Sequence, residues 1–367
     1  MTGFFPEVLR AGLVVGVLAV VTPNPADAAS APSSAGAGVR VEEIAPGVYA
    51  VVSQDPLGLA NHSNAVFIVN DTDVILIDTQ FTLARTRDVL AALRTVTDKP
   101  VSVLVNTHWH DDHTFGNQVV RDAFPKVEII AHARTKDDMA GIGVENRAQQ
   151  VSGGADAVTM FRDAVGKQTS LDGSAMGDDE RAAYESTIAL AREYLDEMPD
   201  FRLTLPTKTF EDQLVLTRGK RTIEIRHVGP GVTPGDAVVY LPKEGVLVAG
   251  DIVDNPLPFA YRCNVSGWIA ALDAVSALKA RVMVPGHGPV MHDNSQAQRL
   301  AGLLTSIREQ TVAAKARGES LEQARGSVNV GELRGPIVGE NKMLAFLFDG
   351  FFVGQVVASA YDEVAKK

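Results

Sequence analysis

The chain carries a single cysteine in 367 residues, and this scarcity excludes two architectures at once. No intrachain disulfide framework can form, and no cysteine-based zinc site is available. The neighbours of Cys263 do not mark it as a nucleophile, so a buried or half-buried thiol is expected there. Positive charge is also in short supply, with 34 Lys and Arg against 45 Asp and Glu and a net charge of −11. No basic stripe is left to neutralise phosphates, which argues against a nucleic-acid partner. An apolar run of membrane length is lacking at the N-terminus too, although Met343 to Val357 is apolar near the C-terminus. The stretch from Ala11 to Val21 is too short to span a bilayer. Arg10 precedes it and Ala26-Asp27-Ala28 follows with the small-x-small pattern of a signal-peptidase site. Residues 1–28 therefore read as a signal peptide and 29–38 as a flexible Ser/Ala/Gly/Pro linker. Export to a periplasm or the exterior is expected, with no stable membrane span once the signal is removed. What remains, 46% apolar and 22% charged, suits an ordinary globular protein with one large core or two smaller ones.

Histidine is scarce as well, but it is concentrated. Of eight in the chain, three fall within Thr107-His108-Trp109-His110-Asp111-Asp112-His113, directly after the apolar strand Val101-Ser102-Val103-Leu104-Val105. Where a strand stops and the chain turns, alternate side chains can converge on one point. His108 and His110 can then share one ion while Asp112 and His113 reach a second. Imidazole with carboxylate favours zinc, which is borderline-soft and redox-inert.

This run fits an HxHxDH signature, and other motifs follow in order. Val66-Phe67-Ile68-Val69 and Val74-Ile75-Leu76-Ile77-Asp78 form paired strands ending in aspartate. Then come the loop Gly229-Pro230-Gly231-Val232-Thr233-Pro234-Gly235-Asp236, the strand Val246-Leu247-Val248-Ala249-Gly250-Asp251 and the turn Pro285-Gly286-His287-Gly288. In order, strand context and spacing the set resembles the metallo-β-lactamase superfamily over roughly residues 39–296. The resemblance implies an α/β fold, a four-layer αβ/βα sandwich, with metal ligands His108, His110, Asp112, His113, Asp251 and His287. It gives Asp112 the catalytic role of orienting the attacking water and Asp78 the support of ligand-bearing loops. It also implies a departure: the family loop usually reads Gly-His-Thr, and Val232 stands where that histidine completes the first metal site. Three outcomes stay open. A one-metal hydrolase can work from the second site, His227 can swing in from its strand end, or the fold can persist for binding alone.

Around these motifs the chain divides further. Val89, Leu93 and Val96 recur at helical spacing, predicting a helix from Leu83 to Val96. Leu214-Val215-Leu216 and Thr222-Ile223-Glu224-Ile225 flank Arg218-Gly219-Lys220, a hairpin signal. Residues 133–206 are polar and helix-prone and read as a helical cap beside the cleft. Their best helix runs from Asp179 to Met198, with Asp178 and Asp179 at its start, Pro199 at its end, and an apolar face of Tyr184, Ile188, Ala191, Leu195 and Met198. Ser152-Gly153-Gly154 and Asp172-Gly173-Ser174 read as mobile. Residues 297–367 form a C-terminal helical extension. Asn61, His62 and Asn64 lie on a loop where the family contacts substrate, Trp109 is expected to pack against the site wall, and Trp268 to line the cleft.

The activity expected is zinc-dependent hydrolysis of a small-molecule ester, thioester, lactone or lactam. An aspartate at position 251 resembles the thioesterase and lactonase branches more than true β-lactamases. An iron-dependent persulfide oxidoreductase is the less favoured alternative, because that chemistry relies on the histidine replaced by Val232.

Overall fold

The computed structural model describes residues 38–54, 62–171 and 173–365. The signal peptide, all but the last residue of the linker, Asn61, and Asp172 of the stretch expected to be mobile lie outside them. Two sheets form the frame. The first holds seven strands in sequential order, β1 (Val39–Ala45), β2 (Val48–Ser53), β3 (Ala65–Val69), β4 (Val74–Ile77), β5 (Val101–Val105), β6 (Glu128–His132) and β7 (Lys208–Phe210). The second holds five: β8 (Gln213–Arg218), β9 (Arg221–His227), β10 (Ala237–Leu241), β11 (Val246–Gly250) and β12 (Val282–Pro285). Strand pairing is antiparallel from β1 to β4 and from β8 to β11, and parallel from β4 to β7 and between β11 and β12. The expected hairpin is β8–β9, closed at Arg218 and Arg221 around Gly219 at φ 59°.

The layering follows from side-chain alternation. In β4 every residue is buried, but Ile75 and Ile77 join the core between the sheets while Val74 and Leu76 face outward under a helix. Val48, Val66 and Val103 meet Ile223, Ile225 and Val239 in the inter-sheet core. Behind the first sheet, Val89, Ala92 and Leu93 of α1 (Leu83–Val96) cover Phe67, Leu104 and Ile129. That helix has the bounds its apolar spacing predicts, with Thr82 accepting from the Arg85 amide at its N-cap. The second sheet is covered by helices, giving an αβ/βα sandwich.

Five further helices precede or form that cover: α2 (Asp111–Thr114), α3 (Asn117–Ala123), α4 (Ala133–Ala140), and the long pair α5 (Ile142–Lys167) and α6 (Asp178–Glu197). Then come α7 (Val265–Ala277) and α8 (Ser295–Ala316) behind the second sheet, followed by α9 (Leu321–Ser327), α10 (Gly335–Val338), α11 (Lys342–Leu347) and α12 (Gly354–Ala365). The apolar stretch Leu344–Val364 is long enough to cross a membrane. Its residues Phe348, Phe352, Val356 and Val357 are nevertheless fully buried in one cluster with Leu300, Leu303, Leu304 and Ile307 of α8.

The cap departs from its sequence reading in two places. Ser152-Gly153-Gly154, expected to be mobile, lies inside α5. Gly154 is there because α6 crosses closely: a Cβ added to it would sit 3.1 Å from Leu195 Cδ1. Helix α6 starts from Gly177 rather than an aspartate cap, with Asp178, Asp179 and Glu180 in its first turn suiting the positive end of the helix dipole. Its most buried residues are Ala183, Tyr184, Thr187 and Tyr194, and the predicted stripe packs beside them, with Ile188 against the core behind the second sheet and Leu195 and Met198 against the cluster of Tyr194. Replacing Gly154 by Ile should force α5 and α6 apart and destabilise the protein by about 1–3 kcal/mol. A lower urea midpoint checks this, and an unchanged midpoint would show that the two helices do not need their close approach.

Candidate metal centre

The ligand-type residues meet because four strand ends point to one edge. Asp78 follows β4, the histidine run follows β5, Asp251 follows β11 and His287 follows β12. One ligand atom each of Asp112, His113, Asp251 and His287 lies within 4.8 Å of the others, and His108, His110 and Asp251 form a second such group. Asp251 belongs to both. Its Oδ1 is 2.9 Å from His113 Nε2 and its Oδ2 is 3.3 Å from His108 Nε2 and 3.8 Å from His110 Nδ1. On the other side, His287 Nε2 is 2.9 Å from Asp112 Oδ2. Glycine is required for this closeness: a Cβ at Gly286 would lie 2.0 Å from Asp251 Oδ1.

Behind these atoms a second row of hydrogen bonds fixes each ring. His113 Nδ1 donates to Asp78 Oδ2 at 2.8 Å. The other Asp78 oxygen accepts from the Thr107 amide at 2.8 Å, and the Thr107 hydroxyl, 2.7 Å from Asp78 Oδ2, also meets His108 Nδ1 at 3.1 Å. Asp78 holds φ at 57°, a left-handed conformation that a non-glycine residue keeps only where its surroundings impose it. His287 Nδ1 meets the His62 carbonyl at 3.2 Å, and the His287 amide donates to Asp254 Oδ1 at 2.8 Å. With the outer nitrogens of His108, His113 and His287 occupied, their Nε2 atoms face inward.

The donors suit a cation. His108 Nε2, His113 Nε2, His287 Nε2, Asp112 Oδ2 and Asp251 Oδ1 are all buried and make no hydrogen bond. Converging unsatisfied groups are costly unless something positive lies between them. Without metal, protons take that part. Burial pushes the Asp251 carboxyl up, but His113, His108 and His287 outweigh it and hold the group well below the usual range. Burial disfavours the imidazolium of His287, yet Asp251 and Asp112 raise it to about 9. His113 is raised the same way by Asp251, Asp112 and Asp78. These are the protons a metal displaces on binding. His110, lowered by burial and by His108, is already a neutral donor.

The remaining sequence candidates are placed otherwise. His227 is not drawn in: its Nδ1 donates to the Asp236 carbonyl at 2.8 Å and its ring stacks on His132 with centroids 4.1 Å apart. Trp268 does not line the cleft. It is fully buried in the core behind the second sheet, its Nε1 donating to the Ile252 carbonyl at 3.0 Å, because α7 packs its inner face there. Asn64 is a strut, its Nδ2 donating to the carbonyls of Pro285 and Gly288 on either side of His287. His62 is buried beside the site, with burial lowering its pKa to about 3. Trp109 does form site wall, packed under α5 with its Cε3 3.3 Å from a Cβ built at Gly143. Cys263 is buried, as its neighbours suggest.

Sequence reasoning missed Asp254, although it stands three residues after Asp251 in the same loop. It also missed the clamp between cap and metal run. The Arg147 guanidinium grips both oxygens of Asp111, Tyr194 donates to Asp111 Oδ2 at 3.0 Å, and Arg147 lies 4.3 Å over the Phe201 ring. The cleft that opens onto the centre is lined by Phe81, Trp109, His110 and Asp112, by Asn146 and Gln150 of α5, and by Phe259 and Tyr261.

Residues 59–287 match the sequence profile of the metallo-β-lactamase superfamily, and they contain every ligand-type residue of the two groups. The chain belongs to that superfamily. Its metal-dependent hydrolase fold agrees with the clusters found here. Among curated proteins the chain is 27% identical, over 65% of its length, to a linear primary-alkylsulfatase of Pseudomonas sp. (strain ATCC 19151). It spans only 44% of that relative's length. Among solved structures, a metallo-beta-lactamase from Pontibacter korlensis superposes with a TM-score of 0.51 at 21% identity, covering 73% of this chain and 99% of that one. The DIM-1 metallo-beta-lactamase gives 0.50 at 18%, covering 73% and 97%. These likenesses show the superfamily fold.

A pH dependence follows for the chelator-treated protein. An unfolded imidazole titrates near about 6.5, whereas folded His287 titrates at about 9. The raised value means its stabilisation is complete below the unfolded pKa and is lost as pH climbs through the folded one. The urea midpoint of the metal-free superfamily member should therefore fall between pH 6.5 and 9, and a midpoint that rises over this window would contradict the arrangement.

Proposed function

We propose that the protein is a zinc-dependent hydrolase acting on a small-molecule ester, thioester, lactone or lactam, with one ion on Asp112, His113, Asp251 and His287. The observation that carries this is the buried, hydrogen-bond-orphaned convergence of those four side chains at the floor of a cleft. Zinc held there supplies Lewis acidity toward the substrate oxygen and a water acidified to a pKa of about 7. The protein's own residues supply the rest. Asp112, which also lines the cleft, orients the attacking water. Asp78 locks His113, and Asp254 together with the His62 carbonyl locks His287. Phe81, Trp109 and Phe259 restrict bulk water.

The single-ion reading rests on Val232. By family resemblance a loop histidine stands at this position; here the side chain is 2% exposed and joins the apolar cluster of Ile252 and Trp268. The other group keeps His108, His110 and Asp251. Iron-dependent persulfide chemistry is correspondingly less favoured, and an impaired, binding-only protein predicts no turnover at all. A second hydrolytic reading, cleavage of linear alkyl sulfates, is favoured by the similarity to the alkylsulfatase. Export, proposed from Arg10 and Ala26-Asp27-Ala28, predicts a secreted chain that no longer starts at Met1.

Plasma mass spectrometry of protein purified without chelator should find about one zinc per chain. That protein should then cleave one of an ester, a thioester, a lactone, a lactam or dodecyl sulfate. Asp112→Ala should lose both metal and turnover, and near-normal activity would place the chemistry elsewhere. Val232→His should raise the zinc count toward two; an unchanged count would mean the loop lacks the family geometry.

A further inference from the structure

The cap places one polar group in the cleft that the catalytic machinery leaves unused. Gln150 of α5 is 5% exposed, lines the cleft, and its Oε1 is buried with no hydrogen-bond partner. A buried carboxamide oxygen left unpaired costs about 1–3 kcal/mol, so a position that tolerates it is one where something else completes the bond. Asn146, one helical turn earlier, lines the same cleft. Between them in sequence, Arg147 is held by Asp111 and by the Phe201 ring. That anchor sets the rotation of α5, so Asn146 and Gln150 face the metal floor while the guanidinium is turned away and neutralised.

Another part of the lining differs in chemistry. Phe259 and Tyr261 stack with centroids 6.1 Å apart, Phe351 continues the aromatic surface 6.4 Å beyond Phe259, and His110 of the metal run lies 6.5 Å from Phe259. Among the described residues that line the cleft there is no Lys or Arg to pair with an anionic substrate group.

We propose that Gln150 and Asn146 are the specificity-determining pair of this site. They select a neutral substrate that turns an amide or hydroxyl group toward α5 and lays an aromatic or alkyl face on Phe259 and Tyr261. A substrate amide suits the wall because it offers both a donor for Gln150 Oε1 and an acceptor for the carboxamide nitrogens. An analogue without polar atoms leaves the buried oxygen unpaired and is discriminated against. This deepens the ester, thioester, lactone or lactam reading against the alkyl-sulfate one, and relies on the hydrolase reading only for where the substrate lies.

The test is a binding measurement on zinc-loaded full chain, read by the fluorescence of Trp109 at the cleft wall. The probes are N-benzylacetamide and n-butylbenzene, similar in length and differing in the amide. Wild type should bind the amide roughly tenfold more tightly, Gln150→Met should abolish that preference, and Phe259→Ala should weaken both probes. Gln150→Met should keep its zinc and melt at the same or a higher temperature, since it removes an unsatisfied polar group. A lower melting temperature with the preference intact would make Gln150 merely structural and overturn the proposal, as would equal affinities in wild type or no binding of either probe. A protein that cleaves no ester, thioester, lactone, lactam or alkyl sulfate, yet binds the amide in a Gln150-dependent way, would sink the hydrolase reading while supporting this one.

Discussion

A carboxylate buried among four imidazoles holds this molecule's chemistry together. Asp251 is 3% exposed and touches both donor groups, one oxygen toward His113 and the other toward His108 and His110. Such a group is expensive to desolvate unless opposite charge surrounds it, so its surroundings must be held to within fractions of an ångström. Two parallel strand pairs, β4–β5 in one sheet and β11–β12 in the other, end at that point and deliver the partners. The glycines at 250 and 286 let backbone approach where a side chain would collide with Thr107 or with Asp251 itself.

The motifs along the chain were legible because they are local. A histidine run after a strand, an aspartate after a strand and a Pro-Gly-His-Gly turn each carry their context in neighbouring residues, and the sheet topology only had to bring them to one edge. Helix α1 was legible for the same reason, its apolar period lying within the segment. What escaped was set by partners far away in sequence. Gly154 looks like a breaker until Leu195 is seen beside it, and Trp268 looks like a cleft aromatic until α7 is seen turning it into the core. Tyr194 and Arg147 carry no motif at all, since their role exists only through Asp111.

His62 and Asn64 show a subtler case. The loop that carries them does reach the site, but through its backbone and as a brace. The His62 carbonyl orients His287, and the Asn64 amide bridges the two carbonyls that flank it. Position in a family pattern located the loop, and hydrogen-bond accounting shows that it supports a ligand.

Asp111 sits directly before Asp112 and is committed to the cap. The cap is held to the sandwich by that grip, by Glu197 accepting from the Leu83 and Ala84 amides, and by Phe161 and Ala164 of α5 in the core behind the second sheet, while the cleft-facing positions Asn146 and Gln150 belong to neither donor group. Side chains there can be exchanged by single substitutions without disturbing the reactive floor beneath. The molecule thus separates what must stay constant from what can drift, an arrangement in which new preferences can evolve on an inherited reaction centre.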